Sequence, residues 1–494
     1  MHLIDQRTIH ALLHTFKLSK AFTEPNIANG EWMIALEGVL LQELLKVGGQ
    51  LLEEILNTLQ SDPIWHTAHI TEVYRRHKGE LRPHSKRTVK INSLFGVISL
   101  HDADYWVNDK RHKPGRPRST RGRAGGGRYP LLEHLGIFER ATPALTDEVA
   151  RQATQCSSFD EAKQNLASRG LSFNEKTIQR ISYGLAERGL TQREKVAEGT
   201  HLSTDPQLFA GERVRFGIDG GRSKIRYPNR AGRRKQNKRR GYRVAWREPR
   251  LIFIEVIDEQ GQRREGTKPM YLTSLGDANT VMKLLKGTLK AYGIEQAAEI
   301  IVCADGASWF WERLPDLYDE LALDRERITE VLDAYHALEH LGSIKEMGRF
   351  ESKRAANIWY KKQKRHLFSG HWQAFLKGID ALQIRRGSKK PFRTERAFFL
   401  HHRERLRYAE FKRSGIPRGS GAIESAIRQV INLRVKSSGK HWREEHCEEI
   451  LFLRCQLKTD HWRSFICSLL LDFDLSSEAH SDHTVSSSFN RLAA

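Results

Sequence analysis

Apolar positions along this chain change their period several times, and each change marks a candidate element. From Met1 to about Gln60 the pattern is helical, with Leu40, Leu41, Leu44, Leu45 and Val47 on one stripe. Between Val89 and Trp106 the period shortens. Val89 and Ile91, then Val97, Ile98 and Leu100, flank Phe95-Gly96 and predict a small β-hairpin. Further on, Ser158-Phe159-Asp160-Glu161 and Ser172-Phe173-Asn174-Glu175 each place Ser and Glu three apart ahead of an apolar run, the capping-box pattern of a helix start. Ala162 and Leu166 line the first helix and Ile178, Ile181 and Leu185 the second, with Arg169-Gly170-Leu171 as the turn. The pair reads as a helix-turn-helix presenting Lys176, Thr177, Gln179, Arg180 and Tyr183 outward to a major groove, or as an ordinary helical hairpin in a core.

From Arg213 the pattern becomes that of a mixed α/β core. Val214, Phe216 and Ile218 alternate with their neighbours, as in a half-buried strand, and Asp219 stands at its tip before Gly220-Gly221. A basic hairpin follows, from Arg222 to Arg250, with Tyr227, Tyr242 and Trp246 interleaved. Next come an apolar strand from Leu251 to Ile257 and a short one at Met270-Tyr271-Leu272. Asp277 caps a helix carrying Val281, Leu284, Leu285 and Leu289 on one face. A strand from Glu299 to Ala304 ends at Asp305, a helix carries Trp309, Phe310, Trp311 and Leu314, and a strand from Ile328 to Leu332 ends at Asp333. Three strands in a meander, then helix, strand, helix and strand, is the order of a ribonuclease-H-like fold, in which acids on the first and fourth strands bind metal. A long helix-rich stretch precedes Pro417-Arg418-Gly419-Ser420-Gly421 and a helix whose apolar stripe, Ile423, Ile427, Val430 and Ile431, has Glu424 at its margin.

The expected fold class is α+β multidomain: a ribonuclease-H-like core with an all-α insertion, preceded by a helix-turn-helix region. The division is 1–110 (helices and hairpin), 111–130 (basic Pro/Gly arm), 131–200 (helix-turn-helix), 211–336 (core), 337–416 (insertion), 417–475 (core with the Glu helix) and 476–494 (a Ser-rich, disordered tail).

Charge adds a partner to this picture. Lys and Arg number 82 against 60 Asp and Glu, a net +22 in 494 residues, which predicts affinity for polyanions. The arm around Lys113-Pro114-Gly115-Arg116-Pro117-Arg118 is extended by its prolines; it resembles an AT-hook type of minor-groove ligand, with a flexible basic linker as the alternative. Arg116, Arg118, Arg233, Arg234, Lys235, Arg239, Arg240, Arg434 and Lys436 join the helix-turn-helix residues as DNA-binding candidates. No apolar run is long enough to span a bilayer, and the first residues lack the apolar stretch of a signal peptide. Five scattered cysteines without a Cys-x-x-Cys pair argue against a disulfide framework or zinc ribbon, so a reducing cytoplasm is expected.

Phosphodiester cleavage by two divalent ions needs hard oxygen ligands held close together, and Asp219, Asp305 and Glu424 fit that demand by type and placement. The motifs Gly217-Ile218-Asp219-Gly220, Ala304-Asp305-Gly306, Asp333-Ala334-Tyr335-His336 and Arg418-Gly419-Ser420-Gly421-Ala422-Ile423-Glu424-Ser425 occur in an order that resembles the DDE transposases of bacterial insertion sequences, most nearly the ISKra-type family. The likeness spans about Pro143 to Trp462 and includes the run from Arg434 to Trp442. It implies Asp219, Asp305 and Glu424 as ligands of two Mg2+ or Mn2+ ions, and an Asp-x-x-His motif at Asp333 and His336 near the active site. Asp333 also reads as a helix cap, His336 also as a core histidine, and Trp372 in the insertion as a core aromatic or a base-stacking platform. Paired cysteines found near the N-terminal domain of many relatives are lacking here. The implied activity is cleavage and strand transfer at the element's terminal inverted repeats, by a dimer or higher oligomer in the bacterial cytoplasm, nucleoid-associated. A transposase-derived DNA-binding protein without catalysis and a ribonuclease-H-like nuclease are the alternatives.

Overall fold

The computed structural model describes residues 30–77, 81–108, 127–199, 205–228, 241–419, 421–437 and 439–475. The arm with Arg116 and Arg118, the cations Arg233, Arg234, Lys235, Arg239 and Arg240, residues 1–29 and the Ser-rich tail lie outside them. The chain forms two compact units, one of residues 1–135, 140–142 and 168–171, the other of 136–139, 143–167 and 172–494.

In the first unit, α1 (Gly30–Ser61) is followed by α2 (Pro63–Arg76). The Asp62 carboxylate accepts the Ile64 and Trp65 amides at 2.9 and 3.0 Å, and Pro63 occupies a first-turn position where an amide would be orphaned. The hairpin is longer than the pattern predicts: β1 (Leu81–Ser93) and β2 (Gly96–Asn108) pair antiparallel from Ser93↔Gly96 to Leu81↔Asn108. Gly48 of α1 makes room for the turn, since a Cβ there would meet the Phe95 ring at 2.7 Å. Leu81 and Trp106 close a small core with Val73, and α3 (Pro130–His134) completes the unit.

The second unit begins with α4 (Pro143–Gln155), α5 (Phe159–Ala167) and α6 (Glu175–Ala197). Ser158 Oγ caps α5 by accepting the Glu161 amide at 3.0 Å, while the Glu161 carboxylate reaches back to the Ser157 amide at 2.7 Å. At the second helix the cap is Asn174, which accepts the Thr177 amide at 2.8 Å, rather than the expected Ser172. Helix α6 also runs on past Leu185 to Ala197, about three more turns, and Gly189 lets the Phe452 ring press against its backbone.

A mixed five-stranded sheet forms the centre of this unit. Its strands are β3 (Arg213–Gly220), β6 (Arg250–Ile257), β7 (Met270–Ser274), β8 (Glu299–Ala304) and β9 (Ile328–Leu332), in spatial order β7-β6-β3-β8-β9; a separate ribbon, β4 (Ser223–Pro228) and β5 (Tyr242–Arg247), follows β3 in sequence. β3 pairs antiparallel with β6 and parallel with β8, which in turn pairs parallel with β9. Val214, Phe216 and Ile218 pack on one side with Ile252 and Ile254 and with Val281, Leu285 and Leu289 of α7 (Ala278–Ala291). The opposite side of β3 is buried too, so the expectation of a half-buried strand is corrected. Arg215 lies there, opposite Glu255 in the register, and the two form a buried ion pair across the strands. That pairing answers the cost of placing a cation in a core.

After β8 the expected aromatic helix divides into α8 (Ser308–Trp311) and α9 (Leu314–Glu320), with Pro315 in the first turn of the second. Helices α10 (Ala334–Met347), α11 (Lys353–Phe368), α12 (Trp372–Asp380), α13 (Lys389–His401) and α14 (Tyr408–Arg413) make up the helical stretch. The chain then returns to the sheet through α15 (Gly421–Ala426), a π-helical segment Ile427–Asn432 and the short α16 (Leu433–Val435), before α17 (Glu444–Lys458) and α18 (Trp462–Leu475). No described helix is long and apolar enough to cross a membrane.

Candidate active site

Strand geometry places Asp219 on the same side of β3 as Arg215 and Gly217, the side on which α15 packs. Gly217 is required there: a Cβ would stand 2.0 Å from the Cys303 carbonyl oxygen of β8. At Gly221 a Cβ would meet Ile431 at 2.8 Å, so this glycine admits the helix that carries Glu424. The space beside these two glycines is thus filled by the protein itself. Gly221 is buried beneath Ile431, and Gly220 abuts the Glu248 side chain.

Four groups meet electrostatically at this strand tip. Burial pushes the Asp219 carboxyl up to about 6; the negative charges of Asp305 and Glu424 add to the rise, while the Gly220 amide, donating to Oδ1 at 2.6 Å, and His336 oppose it. Asp305 follows β8, and its Oδ1 accepts the Ala307 amide at 3.0 Å, which fixes the carboxylate at the turn into α8. Glu424 is on the exposed side of α15, which widens into the π-helical segment within one turn. Such segments cannot close the usual backbone ladder. Here the buried Arg454 guanidinium donates to the Gln429 carbonyl from Nε at 3.0 Å and to the Thr154 carbonyl from Nη1 at 2.8 Å, tying the widened helix to α4. Among the described residues, no three His, Cys, Asp or Glu side chains are gathered closely enough to surround one ion.

Asp333 caps α10, accepting the Tyr335 amide at 2.9 Å, and is itself buried. Its backbone amide donates to Ala304, and the next amide, Ala334, donates to Arg418, each at 2.9 Å, so the start of α10 joins β8 to the segment leading into α15. The capping alternative for Asp333 is what the structure supports. His336 is half-exposed on α10, 3.6 Å from Glu339 and 5.7 Å, ring to ring, from His340. Trp372 packs against Phe375 at the margin of the core, with Arg403 over its ring, as the core-aromatic alternative has it.

Several expected DNA contacts are placed differently. Arg434 is buried, 1 % exposed, and donates to the Ala153 and Ser157 carbonyls at the end of α4. Its guanidinium lies 4.9 Å from the Phe159 ring centroid and 5.0 Å from that of Trp442. Arg434 is thus a clamp inside the unit, unable to reach a phosphate. Lys436, two residues on, is exposed. On α6, Lys176 is exposed, Thr177 and Gln179 are partly exposed, and Arg180 is engaged by the Glu139 carboxylate. Tyr183 turns inward, stacked on His446 at 4.1 Å with its ring parallel, which corrects its outward assignment. The residues the sequence reading missed are Glu248, beside Gly220, and Arg454. A glutamate inside a basic run and an arginine in an apolar helix carry no periodic signal. No protein-family model matches the chain, and no curated protein is similar to it.

Proposed function

We propose that this chain is a metal-dependent DNA strand-transfer enzyme, a DDE transposase of ISKra type acting on the terminal repeats of its own element. The observation that carries the reading is the placement of Asp219 on β3 and of Asp305 just after the adjacent parallel β8, with the helix that carries Glu424 packed over Gly221. The strand order β7-β6-β3-β8-β9, with an acid near the end of β3, another just after β8 and a helical insertion before the glutamate, supports a ribonuclease-H-like core. Two consecutive capped helices and the net charge support a DNA-binding helix-turn-helix at α5 and α6.

The donors fit hard divalent cations. They are carboxylate oxygens; burial first and then the charges of Asp305 and Glu424 raise the proton affinity of Asp219, and a bound cation would offset both. Ligation of a shared ion requires the acids to draw closer than they stand. Bound Mg2+ would supply the charge that makes water or a 3′ hydroxyl nucleophilic and stabilises the leaving oxygen.

The chain's own groups perform the rest. Asp219 and Asp305 hold their oxygens at the ends of adjacent parallel strands, each braced by a backbone amide. Glu424 closes the site from the helix above. Half-exposed His336 donates a hydrogen bond to a phosphate oxygen and orients the scissile group. Exposed Lys436 and Lys176 neutralise flanking phosphates. The test is strand cleavage with Mg2+ on DNA bearing the element's ends, leaving 3′ hydroxyls. Wild type is expected to cut at the ends, while Asp219→Ala, Asp305→Ala and Glu424→Ala fall by a factor of about a thousand or more. Equal cutting by wild type and Asp219→Ala would refute the assignment.

A further inference from the structure

The β4–β5 ribbon has one face fixed to the protein and one face largely exposed, on which the Tyr242 hydroxyl stands 3.4 Å from His441 Nδ1. On the fixed face Ile225 is buried against Trp442, the Tyr227 hydroxyl donates to Glu444 at 3.0 Å, and Arg247 donates to the same carboxylate at 3.0 Å. The register pairs Lys224 with Trp246, Arg226 with Val244 and Pro228 with Tyr242, which puts these side chains together on the other face. There Trp246 is 57 % exposed, Tyr242 47 % and Val244 42 %. Lys224 Nζ stands 5.2 Å from the centre of the Trp246 ring. Single exposed apolar residues are ordinary, but three on one strand face form a patch.

Charge decides what covers it. Besides Lys224 and Arg226, the sequence from 229 to 240 joining the two strands holds seven Lys and Arg and no acid. A second copy presenting the same face would be repelled, whereas a polyanion with flat apolar faces satisfies both rings and cations. The ribbon also begins at the candidate site. The Gly221 amide donates to the Pro249 carbonyl at 2.9 Å, and Glu248, two residues beyond Trp246, abuts Gly220 next to Asp219.

We propose that Trp246, with Lys224 beside it, is a stacking platform for an unpaired nucleotide flanking the scissile phosphate. Bases within a duplex are already stacked, so the platform favours frayed or single-stranded ends over blunt ones. Lys224 and Arg226 meet the adjoining phosphates. The proposal rests on the reading of the acids as a DNA-cleaving site, and its test is made without metal so that the two can fail separately.

The probe is a fluorescein-labelled duplex with a six-nucleotide single-stranded overhang, compared with the blunt duplex of the same sequence. Binding is followed by anisotropy in EDTA with the full chain. Wild type is expected to prefer the overhang by about tenfold; Trp246→Ala loses that preference and keeps its blunt-duplex affinity, and Trp246→Phe retains it. Lys224→Ala with Arg226→Ala weakens both ligands and flattens the salt dependence. An unchanged preference in Trp246→Ala would overturn the proposal. So would Trp246→Ala releasing the chain from phosphatidylserine vesicles while overhang binding stays intact. Should Trp246→Ala fail to fold, a Trp246→Phe and Trp246→Leu pair gives the same comparison, and equal preference in both overturns the platform. Loss of the preference alongside full cleavage by Asp219→Ala would refute the catalytic reading and leave the platform standing.

Discussion

Replacing Asp219 by Asn should make the metal-free protein more stable at neutral pH, although it removes a proposed ligand. The carboxyl is raised from an ordinary value of 3.8 to about 6, chiefly by burial and then by Asp305 and Glu424. At about 1.4 kcal/mol per unit, a rise of roughly two units means that ionised Asp219 destabilises the fold by about 3 kcal/mol, which partial solvent access reduces to about 2. The sign follows from proton binding. Between about pH 4 and pH 6 the folded chain holds this proton and the unfolded chain has lost it, so stability falls as pH rises through that window. Asparagine keeps the acceptor for the Gly220 amide and carries no charge. Urea unfolding with a chelator present, from pH 4 to pH 8 and followed at the transition of the larger unit, is therefore expected to show Asp219→Asn gaining about 2 kcal/mol above pH 6 and little near pH 4. Adding Mg2+ should stabilise wild type and leave the variant unmoved. A variant no more stable than wild type at pH 8, or a difference independent of pH, would refute the reasoning.

Four other outcomes follow from the geometry. Glu424→Gln removes one of the charges acting on Asp219, so the pH window of the wild-type stability loss should move downward in the same titration. Arg215→Met leaves Glu255 buried without its partner and is expected to cost about 3–5 kcal/mol in chemical denaturation; adding Glu255→Leu should recover most of it, and a failure to recover would show the pair does more than neutralise itself. Arg434→Ala should destabilise by about 3 kcal/mol or more through the lost carbonyl bonds while leaving the salt slope of DNA binding unchanged, whereas Lys436→Ala should lower that slope by about one and leave stability intact. Gly217→Ala should block the approach of β3 to β8 and give an insoluble or unfolded core, seen as lost near-ultraviolet circular dichroism.

Much of the core was legible because strand and helix periods survive in the sequence. Asp277 and Asp333 cap their helices as their positions after apolar runs suggest, and the strands ending at Asp219, Asp305 and Asp333 run as their alternating or apolar patterns predict. What escaped depends on pairing between distant segments. Arg215 is opaque until its register with Glu255 is known, and Arg434 in a cationic run looks like a phosphate contact until Phe159, Trp442 and two carbonyls close around it. Tyr183 falls off the apolar line of Ile178, Ile181 and Leu185 and so reads as outward; only the packing of that helix on α17 brings its ring onto His446. Glycine told its story only in part, since a glycine pair at a strand tip signals close approach without saying whether by ligand or by Ile431.

The central claim is that Asp219, Asp305 and Glu424 share divalent cations, and counting tightly bound Mn2+ by electron paramagnetic resonance tests it most directly. Wild type should hold at least one tight ion per chain, and Asp219→Asn, Asp305→Asn and Glu424→Gln should each lose it with the fold intact. Equal Mn2+ occupancy in wild type and all three variants, or none in any of them, would contradict the account.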